Sequence, residues 1–479
     1  MTPSDWARFK SYAKLMEKLS FDRSPNDLSV FGARELDPSV FRAIQSSLDL
    51  GHFDRPLLQN LTEFTFNQDF GGVSLRDACV FLGPQLKTLR LTIPSSLEGL
   101  RTFTTALKAR CPAIAHLYIS SRQSSDRVNR VVSDLVCSLS SLRTVSCNQI
   151  TCNTQALKYL SSLPSLQRLD VHLPNELAQE SLLDAFPNIL PFLAMQRLDI
   201  TVASTASAVE FLRVASNSSD LESLSITIDH IVPTPEQLHA VLTVIQQSSF
   251  CGTLTTFKFR DDVEMAEDAT PLHNLDGQTL SPLLRCRNLE DIKIGISYGH
   301  AAIDNSLLKE MALVWPCLRC ISIYSRHDAR RWHCKADLQG LTYLAQNCHS
   351  LQSVSLQFDV SLPLTMTIAM HPDKIVPYGS LTELDVSRSH VSDPLAVATF
   401  LAHVFPNLTL HHGYYIQTTP PPSIWDDFED ELSEDERNPE YMEMAKHWND
   451  VVQIFNARRQ ELSQSLTNHN VRMQYLIYN

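Results

Sequence analysis

Cys317 and Cys320, followed by His327, His333 and Cys334, are the residues whose types and spacing come nearest to carrying chemistry. A CxxC turn with two further N or S ligands nearby is what a tetrahedral zinc site needs. The surrounding residues compete with that reading. Leu318, Ile321 and Ile323 fit a strand pattern that recurs along the whole chain, so Cys317 falls in the turn leading into a strand and Cys320 within it. Ordinary thiols in a folded repeat are expected there, with no metal. Nucleophilic catalysis would need a nucleophile, a base and an orienting group to converge, and no motif assigns such a set. No P-loop, dinucleotide-binding glycine pattern or HExxH occurs. The 17 histidines are dispersed, the pair His411 and His412 included, and glycine is scarce at 13 residues. A protein that is not an enzyme and takes no cofactor is the expectation.

The pattern that absorbs the cysteines is a comb. LQRLDVHL at Leu166 carries apolar residues at its first, fourth and sixth places, and the spelling returns as MQRLDITV at Met195, LESLSITI at Leu221 and LEDIKIGI at Leu289. Thirteen copies start at residues 16, 61, 86, 114, 142, 166, 195, 221, 254, 289, 318, 351 and 381, mostly 24 to 35 residues apart with one gap of 45. That period and spelling are those of a leucine-rich repeat. Alternation puts the fourth and sixth residues on one face of a short strand and the residue between them on the other. Segments with helical spacing, such as TQALKYLSSLPSL, lie between the strands. No unit can bury its apolar face alone, so the copies must stack, with strands in a parallel sheet and helices behind them. The expected fold is an α/β right-handed solenoid with a polar concave face.

Four segments are expected: a capping helix over 1–15, the repeats over 16–412, a Pro-rich and acidic link over 413–437, and a capping helix and strand over 438–479. The strand is the alternation Val471, Met473, Tyr475 and Ile477. The link carries eight acids between Asp426 and Glu436, read as a solvated spacer. A second polar stretch, 261–278, reads as a long loop between repeats. The net charge of −13 argues against nucleic acid or an anionic membrane as the main partner. No run of 18 apolar residues and no signal-peptide core occurs, and the eleven cysteines are scattered. A monomer in the cytoplasm or nucleus, with reduced thiols, is expected.

The opening DWARFKSYAKLMEKLSF resembles the segment that follows the F-box in large fungal (basidiomycete-type) F-box and leucine-rich-repeat proteins, and EMAKHWNDVVQIFNARRQE resembles their C-terminal helix. The resemblance implies the substrate-recognition part of a cullin-RING ubiquitin-ligase receptor. In that family an N-terminal F-box docks on a Skp adaptor while the repeats hold the target. Here the resemblance begins at Met1 and no F-box precedes it, so a Skp adaptor is expected as a partner only if one is encoded upstream. LPNELAQESLLDAF, from Leu173, resembles an F-box opening but starts at the end of a repeat strand and would overrun the next one at Met195. The alternative reading is an adaptor or scaffold unrelated to ubiquitin, such as a small-GTPase regulator.

A protein partner is expected on the concave face. The outward residues between the last two apolar positions run Thr65, Arg90, Tyr118, Ser146, Asp170, Asp199, Ser225, Lys258, Lys293, Ser322, Ser355 and Asp385, and the next outward column includes Asn67, His172, Arg260, Tyr324 and Gln357. Adjacent strands lie about 4.8 Å apart, so Asp170 should neighbour Asp199 and Lys258 should neighbour Lys293. An acidic patch beside a basic one results, with Tyr118 and Tyr324 as aromatic anchors. Arg90, Tyr118, Asp170, His172, Asp199, Lys258, Arg260, Lys293 and Tyr324 are the candidate partner-binding residues.

Overall fold

The computed structural model describes residues 3–21, 41, 43–44, 46, 56–67, 74–93, 99–121, 125–174, 191–229, 231–262, 274–296, 300–325, 335–360, 377–386, 389–411 and 439–477. They form a mixed α/β architecture of parallel strands and intervening helices in two compact units. One comprises Met1–Asp229 with Gln247–Phe250, the other His230–Gln246 with Cys251–Asn479.

In the first unit eight strands pair in chain order, every pair parallel: β1 (Lys18–Phe21), β2 (Glu63–Asn67), β3 (Thr88–Ile93), β4 (His116–Ser121), β5 (Thr144–Thr151), β6 (Arg168–His172), β7 (Arg197–Val202) and β8 (Ser223–Asp229). The second unit contains β9 (Thr256–Asp262), β10 (Asn274–Asp276), β11 (Asp291–Ile296), β12 (His300–Ala302), β13 (Cys320–Ser325), β14 (Ser353–Leu356), β15 (Asp359–Val360), β16 (Glu383–Asp385), β17 (His390–Val391) and β18 (Thr409–His411). There β9, β11, β13, β14, β16 and β18 pair in that order, all parallel. Two side pairs, β10 with β12 and β15 with β17, extend the chain after its main strands.

Each of the thirteen copies opens its strand two residues after its first apolar residue. The reason is visible at β6, where Leu166, Leu169 and Val171 are each at most 1% exposed. Burying one such side chain contributes roughly 1.5–3 kcal/mol. Register is set by the residue just after the first apolar one. The Arg143 carbonyl accepts the N–H groups of both Gln167 and Arg168, at 2.8 and 3.0 Å, and the Gln167 carbonyl does the same for Gln196 and Arg197. One acceptor per repeat thus pins the next strand at its first residues.

The helices start where a short polar side chain can take up a free N–H. Ser125, Asn153, Ser204, Asp304, Asp337 and Asp393 each accept from a backbone N–H in the first turn of the helix that follows. Cys111, Trp315, Cys348 and Phe405 end their helices as wholly buried residues. The Trp315 indole N–H donates to the Cys286 carbonyl of the preceding repeat at 2.9 Å. The long first gap is filled in part by aromatics: Phe41 is 2% exposed and packs 6.2 Å from Phe21 and 6.1 Å from Phe81.

One expectation fails at the C-terminal end. Past the thirteenth copy Leu408 is buried, Leu410 pairs with Leu384, and β18 makes a fourteenth repeat strand within the 16–412 span. Residues 471–477, however, do not form a strand, because the helix from Pro439 continues to Ile477. Alternation over seven residues is too short a signal to interrupt a helix already 32 residues long, since elongation adds a backbone bond per residue fixed. That helix packs against the last repeat. Trp448, fully buried, donates to the Ser389 carbonyl at 2.7 Å, and Arg459 donates to the Leu408 carbonyl at 3.2 Å. The acidic link and most of the 261–278 loop lie outside the described residues, as does nearly all of LPNELAQESLLDAF. No helix among the described residues is long and apolar enough to cross a membrane.

Candidate protein-binding face

Ladder register converts the outward residues into columns running across the strands. In the first unit the central column is Ser20, Thr65, Arg90, Tyr118, Ser146, Asp170, Asp199 and Ser225, each the pairing partner of the next. In the second it is Lys258, Lys293, Ser322, Ser355, Asp385 and His411. Asp170 faces Asp199 and Lys258 faces Lys293, as alternation requires. The two pairs belong to different units, and each unit carries its own set of charges.

The acidic pair is less bare than expected. Arg197 donates to an Asp199 carboxylate oxygen at 2.8 Å, and the Ser146 hydroxyl donates to Asp170 at 2.6 Å. Burial pushes the Asp170 carboxyl above its ordinary value. The Ser146 hydrogen bond opposes that shift, the Asp199 charge adds to it and Arg197 opposes it. The second unit repeats the serine-to-aspartate device between Ser355 and Asp385, at 3.1 Å.

The tyrosines are held differently. The Arg90 guanidinium lies 3.9 Å from the centre of the Tyr118 ring, a cation–π stack between strand neighbours. Around them Thr65, Asn67, Ser120 and Ser146 line an open depression of about 210 Å³. Tyr324 is 37% exposed and belongs to the third column with Arg260 and Gly295, its ring lying over Gly295. His172 pairs with Thr201 and is half-buried. Gln357 departs from the expectation: it follows the end of β14 and is buried at 8% exposure.

An entire column went unread in the sequence. The residue before the second apolar position also faces outward, giving Lys18, Glu63, Thr88, His116, Thr144, Arg168, Arg197 and Ser223 in the first unit. Counting the same alternation one step back from Leu169 would have found Arg168. Lys18 and Glu63 pair at 3.0 Å, well exposed and therefore of little energetic weight. His116, hydrogen-bonded to the Thr144 hydroxyl at 3.1 Å, is held below its usual value by burial and then by Arg143, Arg168 and Arg90.

Of the zinc candidates, Cys317 is exposed and Cys320 half-buried in β13, while His327, His333 and Cys334 lie outside the described residues. Among the described residues no group of three His, Cys, Asp or Glu side chains could hold a metal. The motif reading also passed over Gly295 to Gly299, which spells GxSxG. A nucleophile elbow of that spelling needs a strand, a sharp turn and a helix. Here β11 is followed by β12, a second strand, and Ser297 lies outside the described residues.

No protein-family model matches the chain, and no curated protein matches it. Among solved structures, the crystal structure of the Rad7 and Elc1 complex in yeast aligns over 85% of this chain and 89% of that one, at 13% identity and a TM-score of 0.31. A likeness that distant carries no argument about fold or function.

Proposed function

We propose that the chain is a leucine-rich-repeat solenoid, right-handed and with helices on its convex side, that binds a protein segment along the concave face of its strands. The observation that carries this reading is the register. Within each unit, residues drawn from several repeats fall into continuous columns of charged, tyrosine and hydroxyl side chains, a surface suited to an extended partner rather than to a small substrate. The protein acts as a binder, not as an enzyme. The end segments support a more specific role, the substrate-recognition part of an F-box-type ubiquitin-ligase receptor.

A photo-crosslinking amino acid placed at Tyr118 or Lys258 tests the binding face against one placed at Lys158 on the helix Thr154–Ser162. Partner cross-links from the first two positions are expected, and cross-links from Lys158 alone would overturn the reading. The ligase role is tested separately, by asking whether a Skp-type adaptor co-purifies with the product of the complete transcript. Its absence would leave a binder that does not deliver its partner to a ligase.

A further inference from the structure

We propose that the partner segment held by the first unit is acidic and extended, and that Arg90, His116, Arg143 and Arg168 read it. This rests on the binding role above and gives that role a chemistry. The four residues supply one basic group from each of four successive repeats. Arg90 lies on β3, His116 on β4, Arg143 just before β5 and Arg168 on β6.

The three arginine charges are not consumed within the protein, while His116, its pKa lowered, contributes a ring N–H rather than a charge. Among the described residues no carboxylate lies within ion-pair distance of Arg90, Arg143 or Arg168, whereas Lys18 is paired with Glu63 and Arg197 with Asp199. All three arginines are exposed. Their combined field is felt at one point, since after burial the next influences lowering the His116 pKa are Arg143, Arg168 and Arg90, with Glu63 acting in the opposite direction. The whole chain carries a net charge of −13, so attraction of an acidic segment to this face cannot be a property of the molecule's total charge.

The patch has edges. Toward β1 the Lys18 charge is taken up by Glu63, and toward β7 the Arg197 charge is taken up by Asp199. Past either edge the cations of this column are already paired, which favours a segment lying over β3 through β6. Three strand intervals are about 14 Å, which an extended peptide at ~3.3 Å per residue crosses in four to five residues. Carboxylates at alternate positions would then all face the protein. The Arg90 plane is held flat by Tyr118, leaving its N–H edges for a carboxylate beside the hydroxyl-lined depression.

The test is fluorescence anisotropy with a labelled peptide of about twelve residues, Glu alternating with Ser, long enough to span the four strands. Binding is expected to weaken about tenfold or more in R143E/R168E, by a smaller factor in R143Q/R168Q, and not at all in K158E on the other side of the same repeats. Thermal unfolding of each variant checks that it is folded. The proposal is overturned if the Glu peptide does not bind, if a Gln-for-Glu peptide binds equally, or if K158E matches R143E/R168E. It is also overturned if a single-stranded oligonucleotide displaces the peptide and binds more tightly. Cross-links at Tyr118 in the earlier experiment, combined with failure here, would keep the binding face and discard only its acidic ligand.

Discussion

The Tyr324 ring occupies the space that a side chain on Gly295 would need. A Cβ built on Gly295 would come 2.7 Å from the Tyr324 hydroxyl oxygen and 2.8 Å from the carbon bearing it. The two residues are strand partners, and Arg260 is the partner of Gly295 on its other side. A gap in the third column therefore lets an aromatic ring lie flat over the sheet. Glycine within a strand is otherwise a weak choice, costing about 0.5–1 kcal/mol relative to alanine.

The first prediction follows from that contact. In Gly295→Ala the ring must swing away, and its far end is free to do so. Stability should stay within about 0.5 kcal/mol of wild type or rise slightly, because the gain in strand preference offsets the lost contact. Nitration of Tyr324 by tetranitromethane, followed by peptide mass spectrometry, should be faster than in wild type. An unchanged rate would mean that the ring does not rest on Gly295.

Asp170 makes a prediction about pH. Its folded pKa is raised, first by burial, so the folded protein holds this proton more tightly than the unfolded chain does. The stabilisation linked to that proton is fully present below the ordinary carboxylate value and is lost as pH rises through the higher folded value. Asp170→Asn retains an acceptor for Ser146 and removes the charge. Its melting temperature should exceed that of wild type at pH 7, with the gap closing as pH falls toward the acid limit of the transition. A variant less stable than wild type at pH 7 would contradict this.

His116 runs the other way. Its folded pKa is lowered by burial and by Arg143 and Arg168. The stability tied to its neutral form is present above the unfolded value and lost as pH falls through the folded one. Replacing both arginines by glutamine should raise the His116 pKa toward its ordinary value. NMR titration of histidine-labelled protein would show this directly, and an unmoved titration would mean that the arginines are too far away or too well screened to matter.

Thiol reactivity should sort by depth. Cys317 is exposed, whereas burial pushes Cys111, Cys152 and Cys348 up to about 12 and also raises Cys320. Since the thiolate is the nucleophile, brief alkylation at pH 8 should label Cys317 first and the three deep cysteines only on unfolding. A chelator should leave this order unchanged. Early labelling of Cys111 or Cys348 would show that their helix ends open readily.

The C-terminal helix is held by Trp448, and its removal should be costly. Trp448→Phe keeps most of the packing but loses the bond to the Ser389 carbonyl, for a loss of about 1–2 kcal/mol. Trp448→Ala should cost about 3–5 kcal/mol, comparable to truncating any large buried side chain, and Leu169→Ala in the first unit about 2–5 kcal/mol. Urea unfolding read by circular dichroism would measure all three.

By itself the sequence determined the repeat spelling, its thirteen strand starts and the central outward column. Those follow from two-residue alternation around Leu, Val and Ile, which is a local property of an extended backbone. It did not determine what each outward charge does once it is there. Arg197 is spent on Asp199 while Arg168, its partner one strand earlier, is left for something else, and nothing in the local spelling RLD shared by both strands separates them. The same holds for Arg90 over Tyr118 and Tyr324 over Gly295, contacts between residues 28 and 29 positions apart. Such pairings depend on which strand lies alongside, in what register, and on the rotamer each side chain then finds. Only the assembled sheet settles these.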